Sequence, residues 1–265
     1  MELSEEHYDE LRQAKLLLEN PSIAARFTNV LAVPIEKGMK LLPAGARDQI
    51  IEISQASLTG AMKLALFTLG NEVKSSSNLT HKAAAALSGA AGGAFGLPAL
   101  AAELPVSTAI MLRSIADIAR SEGEELNAPE ARLACLEVFA LGGASSSDDA
   151  AETGYFAVRA GLAKAVSEAA RYAATAGAVK ETAPALVRLI GQIAARFSIP
   201  VTEKAAVQSV PIIGAAGGAI VNTLFIDHFQ DAAKGHFVVR RLERAYGIET
   251  VRNAYSQLPS DPSGG

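Results

Sequence analysis

Five polar side chains follow a glycine-rich segment at spacings that place them along one stripe of a helix. They are Glu103, Ser107, Ser114, Asp117 and Ser121, separated by 4, 7, 3 and 4 residues. Residues three, four and seven apart share a helix face. The stripe could therefore bring carboxylates and hydroxyls together as in a hydrolase. A polar stripe on a helix of Ala, Leu, Ile and Met is also typical of a solvated face.

Glu103 has a further requirement, because it follows Leu-Ala-Ala at the end of an uncharged run. An ionised carboxylate in apolar surroundings needs a cation or hydrogen-bond donors. Arg113 lies beside the stripe, so it would reach Glu103 only after a bend or from a neighbouring helix. This pairing is one hypothesis for the partner of Glu103.

Asn222 is a second polar position, within the apolar run Ile-Val-Asn-Thr-Leu-Phe-Ile. A buried amide must find hydrogen-bond partners. Asn222 is therefore either a structural amide that bonds a neighbouring helix or a polar anchor in an apolar binding site. Together, the candidate ligand-binding residues are Glu103, Ser107, Arg113, Ser114, Asp117 and Asn222.

The hexapeptide Gly-Ala-Ala-Gly-Gly-Ala precedes both polar positions, at 89–94 and at 214–219. Small residues four apart let two helix backbones approach closely, and faces of Ala and Gly leave room for a ligand. We therefore predict close helix packing at Gly89, Gly92, Gly93, Gly96, Gly214, Gly217 and Gly218.

Each hexapeptide lies in an uncharged stretch, 83–102 or 205–226, that is long enough to span a bilayer. The first holds few strongly apolar residues, and glycines and a proline oppose insertion in both. We therefore expect two buried helices, with a peripheral membrane contact as the first alternative, and we leave open whether either stretch enters a membrane. The remaining partners that the pattern favours are a lipid or an apolar small molecule.

Composition excludes several classes of function. A net charge of −4 leaves no basic footprint for nucleic acid. The single cysteine, Cys135, reads as a core residue, and the polar N-terminus predicts a cytoplasmic protein. No metal-binding, nucleophile-elbow or phosphate-loop signature occurs in the sequence, so we expect no cofactor and no metal, and we leave open whether the protein is an enzyme.

The chain is rich in alanine and only 5% aromatic, which favours an all-α fold. We expect a single multi-helix domain with closely packed Gly/Ala-rich central helices. It would comprise an N-terminal helical section (1–72), a helical core packed with it (79–258) and a disordered tail (259–265). The predicted helices cover 4–20, 22–32, 34–42, 47–69, a glycine-rich helix from 80, 103–122, 128–141, 148–175, 181–197, 202–210, 211–246 and a short one after 248.

The two glycine-rich blocks carry a family resemblance. They read Gly-Gly-Ala-Phe-Gly-Leu-Pro-Ala-Leu-Ala-Ala-Glu-Leu-Pro at 92–105 and Val-Pro-Ile-Ile-Gly-Ala-Ala-Gly-Gly-Ala-Ile-Val-Asn at 210–222. With these blocks the chain resembles the EcsC family over nearly its whole length. That family usually has aspartate where this chain has Glu103. It takes its name from a bacterial operon that also encodes an ABC transporter, and it has no agreed catalytic residues.

The resemblance implies a cytoplasmic role close to the cell envelope. We therefore expect a non-enzymatic helical protein that binds lipid, an apolar ligand or a membrane partner around the two glycine-rich helices. The alternatives are a hydrolase acting on a lipid or peptide, with Glu103, Asp117 and a serine in its site, and a scaffold for an ABC transporter. The sequence leaves the oligomeric state open.

Overall fold

A computed structural model describes residues 3–19, 23–32, 34–69, 97–143, 154–176, 180–210 and 214–259. These residues form ten helices and contain no strand, which confirms the all-α fold. The helices are α1 Glu5–Leu18, α2 Ile23–Leu31, α3 Ile35–Leu41, α4 Ala46–Thr68, α5 Leu97–Ser121, α6 Pro129–Leu141, α7 Gly154–Thr175, α8 Pro184–Gln208, α9 Gly214–Tyr246 and α10 Ile248–Gln257.

Local signals set several helix ends where the sequence predicts them. The side chain of Ser4 accepts a hydrogen bond from the backbone N–H of His7, as an N-cap does. Pro129 occupies the first turn of α6, where its missing N–H costs nothing. Gly247 lies between α9 and α10 and has a φ of 87°. Residues with a side chain rarely adopt this backbone conformation, so glycine is favoured at the junction.

Two helices run through prolines at which the sequence predicts a boundary. α5 includes Leu97, so Pro105 lies inside the helix and not in its first turn. Pro105 and Ala101 are both exposed, so water can bind the carbonyl that the proline leaves unpaired. α8 is likewise continuous through Pro200, where we predicted two separate helices.

α6 lies at the centre of the fold, since every side chain from 133 to 141 is buried. It packs against α4, α5, α7, α8 and α9. Cys135 is one of these residues and is fully buried, as expected. Four buried rings extend the core from α6 to α8 and α9, with neighbouring centroids 5.1 to 6.2 Å apart: Phe139, Phe197, Phe225 and Phe229.

The N-terminal helices pack on the rest of the chain. α1 lies against α9, and α4 lies against both α5 and α8. The ammonium of Lys15 donates hydrogen bonds to the backbone carbonyls of Tyr255 and Leu258, so α1 caps the C-terminal end of α10. The predicted boundary between the two sections, the glycine-rich helix from 80 and the tail after 259 lie outside the described residues.

Close backbone contacts in the described structure fall at glycines that the sequence analysis did not select. A Cβ at Gly38 would overlap the backbone carbonyl of Ala206, and one at Gly235 would lie 2.8 Å from the carbonyl of Ala14. No described atom lies within 4 Å of a Cβ placed at Gly218. The predicted packing at Gly89, Gly92, Gly93 and Gly96 lies outside the described residues, as does any side-chain environment at Gly214 and Gly217. Close packing at these seven glycines therefore stays a prediction.

Two described helices are long and apolar enough to cross a membrane by length and composition alone: Pro98–Ser121 and Pro184–Gln208. Half of the most apolar window of each is buried against other helices. The core helices of soluble proteins have the same character, so these helices do not decide between membrane and solution.

Candidate functional site

An ion pair buried between α5 and α8 contains the first polar position that the sequence predicts. The ammonium of Lys204 donates a hydrogen bond of 2.5 Å to the carboxylate of Glu103. The Lys204 side chain is fully buried, and that of Glu103 is only 10% exposed. Glu103 therefore does have a cationic partner, but this partner is Lys204 from a neighbouring helix and not Arg113.

Lys204 also contacts an aromatic ring. Its Nζ lies 4.7 Å from the centroid of the Phe225 ring on α9, in a cation–π contact. Burial lowers the pKa of Lys204, and the negative charge and hydrogen bond of Glu103 oppose that shift. Lys204 and Glu103 carry opposite charges. The pair therefore has no net charge but a large dipole inside the helical core.

Asn222 lies on α9 one turn before Phe225. Its side-chain oxygen is buried and has no hydrogen-bond partner among the residues that the structure describes. A buried acceptor without a partner costs about 1–3 kcal/mol, so such atoms are rare in folded proteins. We name Glu103, Lys204, Phe225 and Asn222 the ion-pair site. It combines a pair of opposite charges with an amide oxygen that has no partner among the described residues.

The polar stripe on α5 is divided between two environments. Ser107 is buried and donates to the carbonyl of Leu104 in its own helix, while Ser114 accepts a hydrogen bond of 2.8 Å from Gln230. By contrast, the Asp117 side chain is 75% exposed and pairs with Arg120 on the surface. The stripe is thus a buried seam at Glu103, Ser107 and Ser114, and a solvated face only towards its C-terminal end.

Arg113 is half-buried and makes no hydrogen bond or ion pair with the described residues. Of the six candidate residues, Glu103 forms the ion pair with Lys204, and Asn222 lies one helical turn from Phe225, the ring that contacts Lys204. Ser107 lies one turn from Glu103 on the same helix face. Asp117 lies away from it on the surface. The described contacts therefore do not bring a serine and a carboxylate together as a hydrolase would need.

The sequence analysis missed Lys204, although a signal was present. Glu103 is the first charge after the uncharged stretch 83–102, and Lys204 is the last charge before the uncharged stretch 205–226. Opposite charges at the ends of two apolar segments are natural partners, because each would otherwise be buried alone. Pairing them by this rule would have predicted the ion pair.

A second buried polar cluster, which we name the polar chain, connects α7 with α9. Arg159 donates two hydrogen bonds, of 2.7 and 2.9 Å, to the carboxylate of Glu243, and a third to the hydroxyl of Tyr155. That hydroxyl lies 2.9 Å from Nδ1 of His236. Since the hydroxyl accepts from Arg159, we assign its own proton to the bond with Nδ1, which leaves the imidazole proton on Nε2.

His236 ends the polar chain opposite the carboxyl group of Glu137 on α6. Nε2 of His236 is buried without a hydrogen-bond partner among the described residues, and it lies 3.9 Å from Oε2 of Glu137. Burial lowers the pKa of His236 well below its usual value, and burial raises the pKa of Glu137 to about 7. Both groups are therefore driven towards their neutral forms in the core.

The described residues contain no group of three or more His, Cys, Asp or Glu side chains arranged to hold a metal ion. His228, a second histidine on α9, donates a hydrogen bond of 2.7 Å to the carbonyl of Gly142. Burial lowers its pKa to about 4.

The fold and the two buried polar groups define an all-α protein in which charged side chains are held inside a helical core. The sequence profile of the EcsC protein family matches residues 6–242. The chain therefore belongs to the EcsC family. No curated protein and no solved structure matches it.

Proposed function

We propose that this is a non-enzymatic, envelope-associated helical protein that binds a lipid or another apolar ligand at the ion-pair site. The bound molecule would present a hydrogen-bond donor to Asn222 and apolar surface to the helices beside it. The single observation that carries this proposal is the buried side-chain oxygen of Asn222, for which the described residues provide no hydrogen-bond partner.

The neighbouring ion pair supports the same interpretation. A buried pair is rarely worth more to stability than apolar side chains of the same volume, so its presence favours a role in recognition. The Lys204–Glu103 dipole would orient a polar head group, while Phe225 and the apolar helices receive the rest of the ligand.

The intact protein tests the proposal by native mass spectrometry. We expect a co-purifying lipid or apolar molecule, and binding of oleate or phosphatidylglycerol after delipidation. N222L should lose this binding because the amide is removed. N253L is the matched control, since Asn253 is an exposed asparagine on α10.

A second measurement, of stability, shows whether N222L loses binding without losing its fold. In the ligand-free protein, N222L should be more stable to urea by about 1–3 kcal/mol, because it removes an unsatisfied buried amide. A protein that carries no lipid, and takes up neither probe, would contradict the proposal. So would an N222L variant that binds as well as the parent.

A further inference from the structure

Three large apolar side chains are exposed within a short segment that spans the end of α2 and the whole of α3. Val30, Met39 and Leu41 are 55%, 45% and 52% exposed. They are three of the eight large hydrophobic residues exposed in the described part of the chain. Single exposed apolar residues are common, but a local group of them indicates a surface that contacts something apolar.

The packing of α3 fixes which of its side chains face outward. Gly38 is buried against the backbone of Ala206, and a Cβ at that position would overlap the carbonyl of Ala206. Ile35 and Leu42, three and four residues from Gly38, are partly buried against the core. α3 therefore lies on α8 with its backbone close to it, and Met39 and Leu41 project from its two flanks, where they stay exposed among the described residues.

Exposed charged side chains of both signs lie next to the apolar residues in the sequence, with one more cation than carboxylates. Lys37, Lys40 and Arg47 are exposed and form no ion pair with the described residues, while the nearby carboxylates are Glu36 and Asp48. The segment thus has a positive balance in a chain whose net charge is −4. Lysine and arginine beside exposed apolar side chains complement an anionic lipid surface, where the side chains enter the interface and the cations meet the phosphates.

We propose that the α2–α3 surface, formed by Val30, Lys37, Met39, Lys40 and Leu41, docks the protein onto an anionic lipid bilayer. The contact is peripheral: the apolar side chains enter the interfacial layer and the helices stay folded on α8. This surface is separate from the ion-pair site, so docking goes beyond the ligand binding proposed above.

Vesicle flotation of the full chain tests the docking. One set of vesicles is pure phosphatidylcholine, and the other has equal parts of phosphatidylcholine and phosphatidylglycerol. We expect flotation with the anionic vesicles. V30S/M39S/L41S should abolish it, and K37Q/K40Q should weaken binding to anionic vesicles about 30-fold while leaving neutral vesicles unaffected.

V187S/I248S is the matched control, because Val187 and Ile248 are 54% and 60% exposed on other helices. It should float like the parent. Equal losses in the control and the α2–α3 variant would overturn the proposal, as would undiminished flotation of V30S/M39S/L41S. Circular dichroism shows that each variant is folded.

If something other than a bilayer covers the α2–α3 surface, the same variants give different results. If a second copy of the chain covers it, the parent forms a dimer on gel filtration that V30S/M39S/L41S loses, without flotation of either protein. That result would overturn membrane docking. N222L separates the two proposals: it should float normally yet lose its ligand, whereas V30S/M39S/L41S should keep the ligand.

Discussion

Replacing Glu137 by glutamine should change how the stability of the protein depends on pH. Glu137 is 6% exposed, and its carboxyl lies 3.9 Å from Nε2 of His236. Burial is the main cause that raises its pKa from 4.5 to about 7, and the nearby charges of Arg240 and Arg159 act in the opposite direction. The folded protein therefore keeps a proton on Glu137 that the unfolded chain releases.

The sign of the effect follows from proton binding. Between pH 4.5 and about 7 the folded state holds more protons at Glu137 than the unfolded state does, so stability falls as pH rises through this range. Since one pKa unit corresponds to about 1.4 kcal/mol, the loss amounts to roughly 3 kcal/mol. This loss of stability reaches its full size only above the pKa of Glu137 in the folded protein.

His236 makes stability change with pH in the opposite direction to Glu137. Burial lowers its pKa well below 6.5, so its contribution to stability is lost as the pH falls below that value. From pH 4.5 to 6.5, the unfolded chain has a charged histidine and a charged glutamate, whereas the folded protein has both in neutral form. The two slopes cancel there, and the parent protein should show a plateau of stability.

E137Q keeps the size and neutral character of the protonated side chain but cannot ionise. Its stability should therefore continue to rise with pH where the parent is flat. Relative to the parent, it should gain roughly 3 kcal/mol between about pH 4 and pH 8. The assay is urea denaturation followed by circular dichroism across this range, with E52Q as the control because Glu52 is exposed on α4.

The reasoning fails if the difference in unfolding free energy between E137Q and the parent is the same at both ends of the pH range. That result would mean that Glu137 ionises in the folded protein as readily as in the unfolded chain. An E52Q variant with the same pH-dependent gain would equally refute the assignment to the buried carboxyl.

Three further predictions concern stability, each measured by urea denaturation. K204M leaves the carboxylate of Glu103 buried without its cation and should cost about 3–5 kcal/mol, whereas E103Q/K204M should recover part of that loss. G38A should destabilise the protein by about 1–3 kcal/mol because its Cβ meets backbone. G60A, a control with open space around the Cβ, should instead stabilise α4 by about 0.5–1 kcal/mol. R132M should cost about 1–3 kcal/mol, because the Arg132 guanidinium donates to three backbone carbonyls and the variant leaves them without this donor.

Much of the fold can be predicted from the sequence because its signals are local. The N-cap at Ser4, the proline that starts α6 and the glycine between α9 and α10 each act within one helical turn. Where prediction failed, a local rule was overridden by packing. Pro105 and Pro200 read as helix boundaries, yet α5 and α8 are continuous through them.

The candidate site was only half predictable, for a related reason. Glu103 and Asn222 stand out because a polar group in an apolar run needs a partner, and the sequence shows that need directly. The identity of the partner depends on which helix lies opposite, and this is why Lys204 was missed and Arg113 was considered in its place.

By itself, the sequence determined an all-α protein with polar groups placed at the edges of apolar helices, because composition and periodicity fix helix type and the buried face. Only the tertiary structure decided that Lys204 neutralises Glu103, that the Asn222 oxygen has no partner among the described residues and that His236 faces Glu137. The physical reason is that burial and pairing of a charge depend on residues about 100 positions away in the chain, which meet only when the helices pack.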